Sequence, residues 1–238
     1  MEIIGSLTGG ESWMDKYTSG AVLSLQHMWR IGTAMQVDWW LGTVAFLTGD
    51  ENIDTKVRLA WHIWEKMHTR DEENSEDDEP VLDAWDIKYG GRAEDVPSKT
   101  PSSNLPNFDV VQSEALTPPF LAVQVQELPR GSDIEWQGLG CRHGRLTMAA
   151  EETDYGRRID SVADGEAIYT FVEVRQTDSV VKCLQHVVDI LQSSHAVLYT
   201  SHPIPRGVWP GQVVPCKAVC GREGRRLAAG IMLQQTTT

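Results

Sequence analysis

The stretch Thr117-Pro-Pro-Phe-Leu-Ala-Val-Gln-Val-Gln-Glu-Leu-Pro-Arg-Gly-Ser-Asp-Ile-Glu-Trp-Gln-Gly-Leu-Gly140 decides how the chain is read, because strand, turn and strand are all legible in it. Leu121, Val123 and Val125 alternate with Ala122, Gln124 and Gln126, the period of a strand with one buried face. Leu128 to Asp133 supply turn chemistry: Pro129 fixes φ and Gly131 permits φ > 0. A second strand, Ile134 to Leu139, completes an expected hairpin.

Working outward, 238 residues at 41% hydrophobic can bury one large core or two modest ones. No apolar run reaches the roughly 18 residues of a membrane span, and the start lacks the regions of a signal peptide, so an intracellular, cytoplasmic protein is expected. The net charge of −13 argues against nucleic acid or an anionic membrane as partner. Residues 69 to 107 hold eleven acidic and four basic side chains, a net of −7, so only −6 falls on the rest. With prolines at 80, 97, 101 and 106, this segment reads as a solvated, disordered insertion. Cys141, Cys183, Cys216 and Cys220 form no Cys-x-x-Cys pair and read as reduced thiols.

Upstream of the insertion, Val22, Leu25, Met28, Trp29, Gly32 and Met35 recur at helical spacing from Gly20 on. Trp39 to Thr48 reads as a buried strand. Asp54 caps a helix with Val57, Ala60, Trp61, Trp64 and Met67 on one stripe, which reads as core packing rather than a ligand stack. Downstream, strands are expected at Arg145 to Glu152, around Ile159 and at Ala167 to Val174. A helix follows Thr177-Asp178-Ser179, then a strand at Ala196 to Ser201. The chain closes on a hairpin, Val213 to Val219 and Leu227 to Leu233, about a turn at Gly221-Arg222-Glu223-Gly224.

Two units result, residues 1–144 with the insertion and a shorter unit, 145–238. Each is a helix, a strand and a closing hairpin, and their helices share Leu25-Gln26-His27 and Leu184-Gln185-His186. Pro118-Pro119-Phe120, Val123-Gln124-Val125, Leu128-Pro129 and Ile134-Glu135-Trp136 resemble the C-terminal signature of the RidA (YjgF, endoribonuclease L-PSP) family. Pro215-Cys216-Lys217, Ala218-Val219 and Leu227-Ala228-Ala229 match it more loosely. Tandem units with Trp39-Trp40 in the first strand and a Val213-Val214-Pro215-Cys216-Lys217 ending resemble the C-terminal region of fungal diphthine-ammonia ligases. Those enzymes amidate diphthine on translation elongation factor 2 with ATP and ammonia. The resemblance covers roughly residues 20–68 and 108–234.

The resemblance implies an α+β fold of two RidA-like (chorismate-mutase-like) units, mainly antiparallel sheets with helices on one face. It implies an accessory ligand-binding or assembly region, partnered by the ATP-binding ligase domain of the parent protein and by elongation factor 2. The phosphate loop of that domain does not occur in this sequence, so no cofactor is expected here. In RidA enzymes a signature arginine binds the substrate carboxylate and a later Glu positions water. Phe120 occupies the arginine position of the first unit, and a phenyl ring cannot hold a carboxylate. Glu135 keeps its place there, while Lys217 takes the arginine position of the second unit. Either the sites are degraded to packing interfaces, or Glu135 and Lys217 share a composite cleft for a small carboxylate ligand, within the chain or across a homo-oligomer. The alternative function is a stand-alone imine or enamine deaminase or an endoribonuclease-like protein. His27, His62, His186, His195 and His202 form no metal motif.

Overall fold

Two β-sheets lie face to face in the computed structural model, with helices on their outer faces. It describes residues 13–37, 39–68, 117–142, 146–163, 167–175, 179–190, 194–204, 209, 211–222 and 224–236. The acidic insertion expected at 69 to 107 and the cap at Thr177-Asp178 lie outside the described residues.

Helix α1 (Trp13–Ala34) starts at Trp13 rather than near Gly20. Tyr17 and Ala21 extend its buried face upstream of Leu25, Trp29 and Gly32, and the Tyr17 hydroxyl donates to the Lys56 carbonyl at 3.1 Å. Met35, assigned to that face from its spacing, is 52% exposed because the helix ends one residue before it. Strand β1 (Trp39–Leu47) and helix α2 (Ile53–His68) follow. Of the α2 stripe, Val57, Ala60, Trp64 and Met67 are buried and Trp61 partly so. Lys56 is tied down by the Thr48 carbonyl and Asp133, each at 3.0 Å, so its buried ammonium has charged and polar partners.

The expected hairpin does not form. Strands β2 (Phe120–Gln124) and β3 (Ile134–Cys141) both pair with β1, which lies between them: β2 runs parallel to β1 and β3 antiparallel. Residues 125–133, with Arg130 and Gly131 at φ 58° and 66°, carry the chain past the edge of β1. Turn residues specify that the chain reverses; they leave open whether another strand fits between the arms. The alternation in β2 likewise marks two covered faces, since all five of its residues are buried. Phe120 and Ala122 face the helices, Leu121 and Val123 face the other sheet. Gln124, expected on a polar face, is buried and donates to the Gly49 carbonyl at 2.7 Å and to Asp50 at 3.1 Å.

The remaining elements are β4 (Leu146–Thr153), β5 (Gly156–Ala163), β6 (Ala167–Val174), α3 (Ser179–Ile190), β7 (Ser194–Thr200), β8 (Gln212–Pro215), β9 (Ala218–Cys220), β10 (Arg226–Leu227) and β11 (Ala229–Thr236). The sheet orders are β10-β9-β2-β1-β3 and β4-β5-β6-β11-β7-β8. The closing hairpin is therefore divided. Its tip, β9 with β10, joins the first sheet through Val219 beside Val123, and from Ala229 the chain enters the second sheet between β6 and β7.

The layers run α1 and α2, first sheet, second sheet, α3. Val44, Leu121, Val123, Phe171, Tyr199, Val219 and Leu227 fill the space between the sheets. Val180, Cys183 and Leu184 of α3 pack on Val172, Val174, Leu198 and Ile231. One pairing pattern occurs in both sheets: β1 has a parallel neighbour (β2) and an antiparallel one (β3), and β7 has a parallel neighbour (β8) and an antiparallel one (β11). In each case a helix immediately precedes the central strand. The fold is α+β with mixed, mostly antiparallel sheets.

At the end of α2 the His68 ring packs against Trp64 and Trp29, at centroid distances of 4.2 and 5.3 Å. Its Nδ1 lies 2.7 Å from the Trp64 carbonyl, so Nδ1 carries the proton and donates, while the buried Nε2 has no hydrogen-bond partner. A second proton at Nε2 would be buried without an acceptor, and burial pushes the pKa down to about 4. The folded pKa lies below the unfolded value of about 6.5, so folding stability is lost as pH falls from about 6.5 towards 4. Denaturation midpoints measured across that window should show the fall, and a His68→Gln variant should show a smaller one. Equal slopes in both would refute the assignment.

Candidate functional site

The side chain at position 120 is core. Phe120 is 3% exposed, set edge-on to Trp61 at 5.7 Å and tilted against Trp136 at 6.3 Å. Its seat is fixed by the prolines before it. The Pro118 carbonyl accepts the Trp64 indole N–H at 2.9 Å, and the Pro119 carbonyl accepts the Thr43 amide at 2.9 Å.

Glu135 lies half-buried on edge strand β3, opposite Phe46. Lys217 precedes β9; its amide donates to Gln124 at 2.8 Å and its ammonium pairs with Asp50 at 2.9 Å. Strands β2 and β1 separate Lys217 from Glu135, a span of roughly 14 Å at about 4.8 Å per strand. Within one chain the two are not brought together, and neither lines the cavities described next. His27, His62 and His195 are exposed. Among the described residues no group of three His, Cys, Asp or Glu side chains is placed to hold a metal ion. None of the four cysteines is in a disulfide; burial pushes Cys183 up to about 12 and Cys220 to about 11, which keeps both protonated near neutral pH.

Phe120 does border a cavity. A space of about 220 Å³ opens between α2, the start of β2 and the β4–β6 face of the second sheet. Its apolar lining includes Trp61, Pro118, Phe120, Met148 and Ile159, and its charged lining is Glu65, Arg157, Glu173 and Arg222. Arg157, Glu173 and Arg222 also line a second cavity of about 490 Å³, so the two spaces share a wall.

The strands explain how these charges meet. Phe171 faces the first sheet and Val172 and Val174 face α3, so Glu173 faces the first sheet. Cross-strand register places Arg157 beside Glu173 and Glu152 beside Arg157. The β9–β10 turn closes over this row, with Gly221 so near that a Cβ there would come within 3.1 Å of a Glu173 carboxylate oxygen. Glu173 is 8% exposed; burial raises its pKa above the usual carboxylate value, opposed by Arg157, Arg222 and Arg175.

Sequence reasoning missed Arg157, Glu173 and Arg222. The available signals were a Glu inside the apolar strand Ala167 to Val174 and two Gly-Arg-Arg runs, Gly156-Arg157-Arg158 and Gly224-Arg225-Arg226. Compared with protein-family models and with curated proteins, the sequence finds no match.

Proposed function

We propose that the chain is a duplicated RidA-like scaffold, an accessory ligand-binding or assembly region of a diphthine-ammonia ligase with no deaminase activity of its own. The observation that carries this reading is Phe120. At the position where the signature arginine would take a carboxylate stands a phenyl ring packed against Trp61 and Trp136. The recurrence of one strand-pairing pattern in both sheets supports a duplication with units 1–144 and 145–238. The face-to-face sheets support a pseudo-oligomer within one chain, in which β9 and β10 of the second unit complete the first sheet. The partners are then the ATP-binding ligase domain and, through it, elongation factor 2.

Two measurements test this. Incubated with an iminoacid generated by an amino-acid oxidase, the chain should release ammonia no faster than buffer; turnover that disappears in Glu135→Gln or Lys217→Ala would establish the deaminase instead. Added to the ATP-binding domain of a fungal diphthine-ammonia ligase, it should bind that domain and raise the amidation of elongation factor 2. No binding and no effect on amidation would sink the ligase assignment.

A further inference from the structure

The second cavity, about 490 Å³, is lined by basic groups in a chain whose net charge is −13. Arg157 comes from β5, Arg175 follows β6, and Arg222, Arg225 and Arg226 come from the β9–β10 turn and β10. Arg175 is paired with Glu152 at 2.9 Å, and Arg157, Arg222 and Arg226 line the cleft around the carboxylate of Glu173. Glu173 itself is 8% exposed. Like charges gathered at one cleft repel, and among the described lining residues these three guanidinium groups exceed the one carboxylate of Glu173 by two charges, an excess that an entering anion would offset.

Guanidinium forks match the paired oxygens of phosphate or carboxylate, and several forks converging on one point suit phosphate, whose oxygens accept from more than one arginine at once. The adjoining cavity gives the class its other half. Trp61, Phe120, Met148 and Ile159 offer an apolar, aromatic wall directly beyond Arg157 and Arg222. We propose that the cleft binds a phosphorylated small molecule, with the phosphate held by Arg157, Arg222 and Arg226 and an apolar or aromatic remainder lying against Trp61 and Phe120. The inference does not rest on the ligase reading: its arginines lie outside the family signature, and Phe120 enters it only as an apolar wall. Glu173, set between the two spaces, acts as the internal counter-charge that an entering phosphate must displace from the arginines.

The test is calorimetric titration of the full chain with inorganic phosphate, phenyl phosphate and benzoate at constant ionic strength. Phenyl phosphate should bind saturably and more tightly than either of the others, because it alone combines a phosphate with a ring. Arg222 and Arg226 are exposed, so the double variant Arg222→Gln/Arg226→Gln should melt like the parent and bind phenyl phosphate at least about tenfold more weakly. Glu173→Gln removes the competing carboxylate and should tighten binding several-fold; a residue serving structure alone would give no gain. The proposal is overturned if no ligand binds saturably, if benzoate matches phenyl phosphate, or if the double variant, still folded, binds as the parent does. It is equally overturned if a single-stranded oligonucleotide displaces phenyl phosphate at lower concentration, which would assign the arginines to nucleic acid.

Discussion

Replacing Trp64 by alanine is expected to lower stability by roughly 3–5 kcal/mol, the range for truncating a large buried aromatic. Trp64 is fully buried between α2 and the first sheet, with Trp29 and Trp136 both at 6.2 Å and His68 at 4.2 Å. Its removal opens a cavity in a cluster whose neighbours are rigid rings and a β-sheet, so little collapse can offset it. It also strips the Pro118 carbonyl of its indole donor. Trp64→Phe separates the two contributions: most of the volume stays and the hydrogen bond goes, for a cost of roughly 1–3 kcal/mol. Urea denaturation of both variants reads the difference; a loss below about 1 kcal/mol for the alanine variant would show that α2 is not anchored through this side chain.

The second large effect concerns the contact between the sheets. Phe171 of β6 is 1% exposed and its ring lies against Gly42 of β1, where a Cβ would come within 2.5 Å of two ring carbons. Gly42 follows an irregularity in register between Trp40 and Gly42, which turns the backbone so that Gly42 and Val44 face the second sheet and Thr43 and Ala45 face away from it. The Ser161 hydroxyl seals the same place by donating to the Leu41 carbonyl at 3.0 Å. Phe171→Ala should cost roughly 3–5 kcal/mol by cavity formation, and Gly42→Ala roughly 1–3 kcal/mol by overpacking. Because each change relieves what the other creates, the double variant should be more stable than the sum of the two losses by on the order of 1–3 kcal/mol. Strict additivity in a double-mutant cycle would mean that the two sheets do not meet at this pair.

The arginine cleft and the buried Phe120 bear on one question, where a ligand would enter between the two sheets. Around Phe120 the aromatic cluster of Trp61, Trp136 and Phe120 closes the space from the helix side. The charges that remain available come from strands β5 and β6 and from the turn at Gly221, on the second sheet's side of the same opening. Lys217 is engaged with Asp50 at the other end of β2, beside Gln124, whereas Phe120 begins the strand. The two ends of β2 thus present different chemistry, an aromatic wall at one and an exposed ion pair at the other.

Sequence alone determined the elements. Helical spacing placed α1 and α2, with an error of one and a half turns or more only where Tyr17 is buried by a contact with Lys56 far along the chain. Apolar and β-branched runs placed β1, β2, β3, β6 and β7 to within a residue or two. Tertiary structure alone decided the neighbours. Turn chemistry at Pro129 to Gly131 is local, and no local signal says that β1 occupies the gap between β2 and β3, or that β9 pairs with β2. For the same reason Arg157, Glu173 and Arg222 could not be read as a site: they are scattered over 66 positions, and only the register of β5 on β6 and the closing of the β9–β10 turn bring their charges into one cleft. Side-chain periodicity records which face of an element is buried, whereas strand order is set by the free energy of filling the space between two sheets, a property of all the elements together.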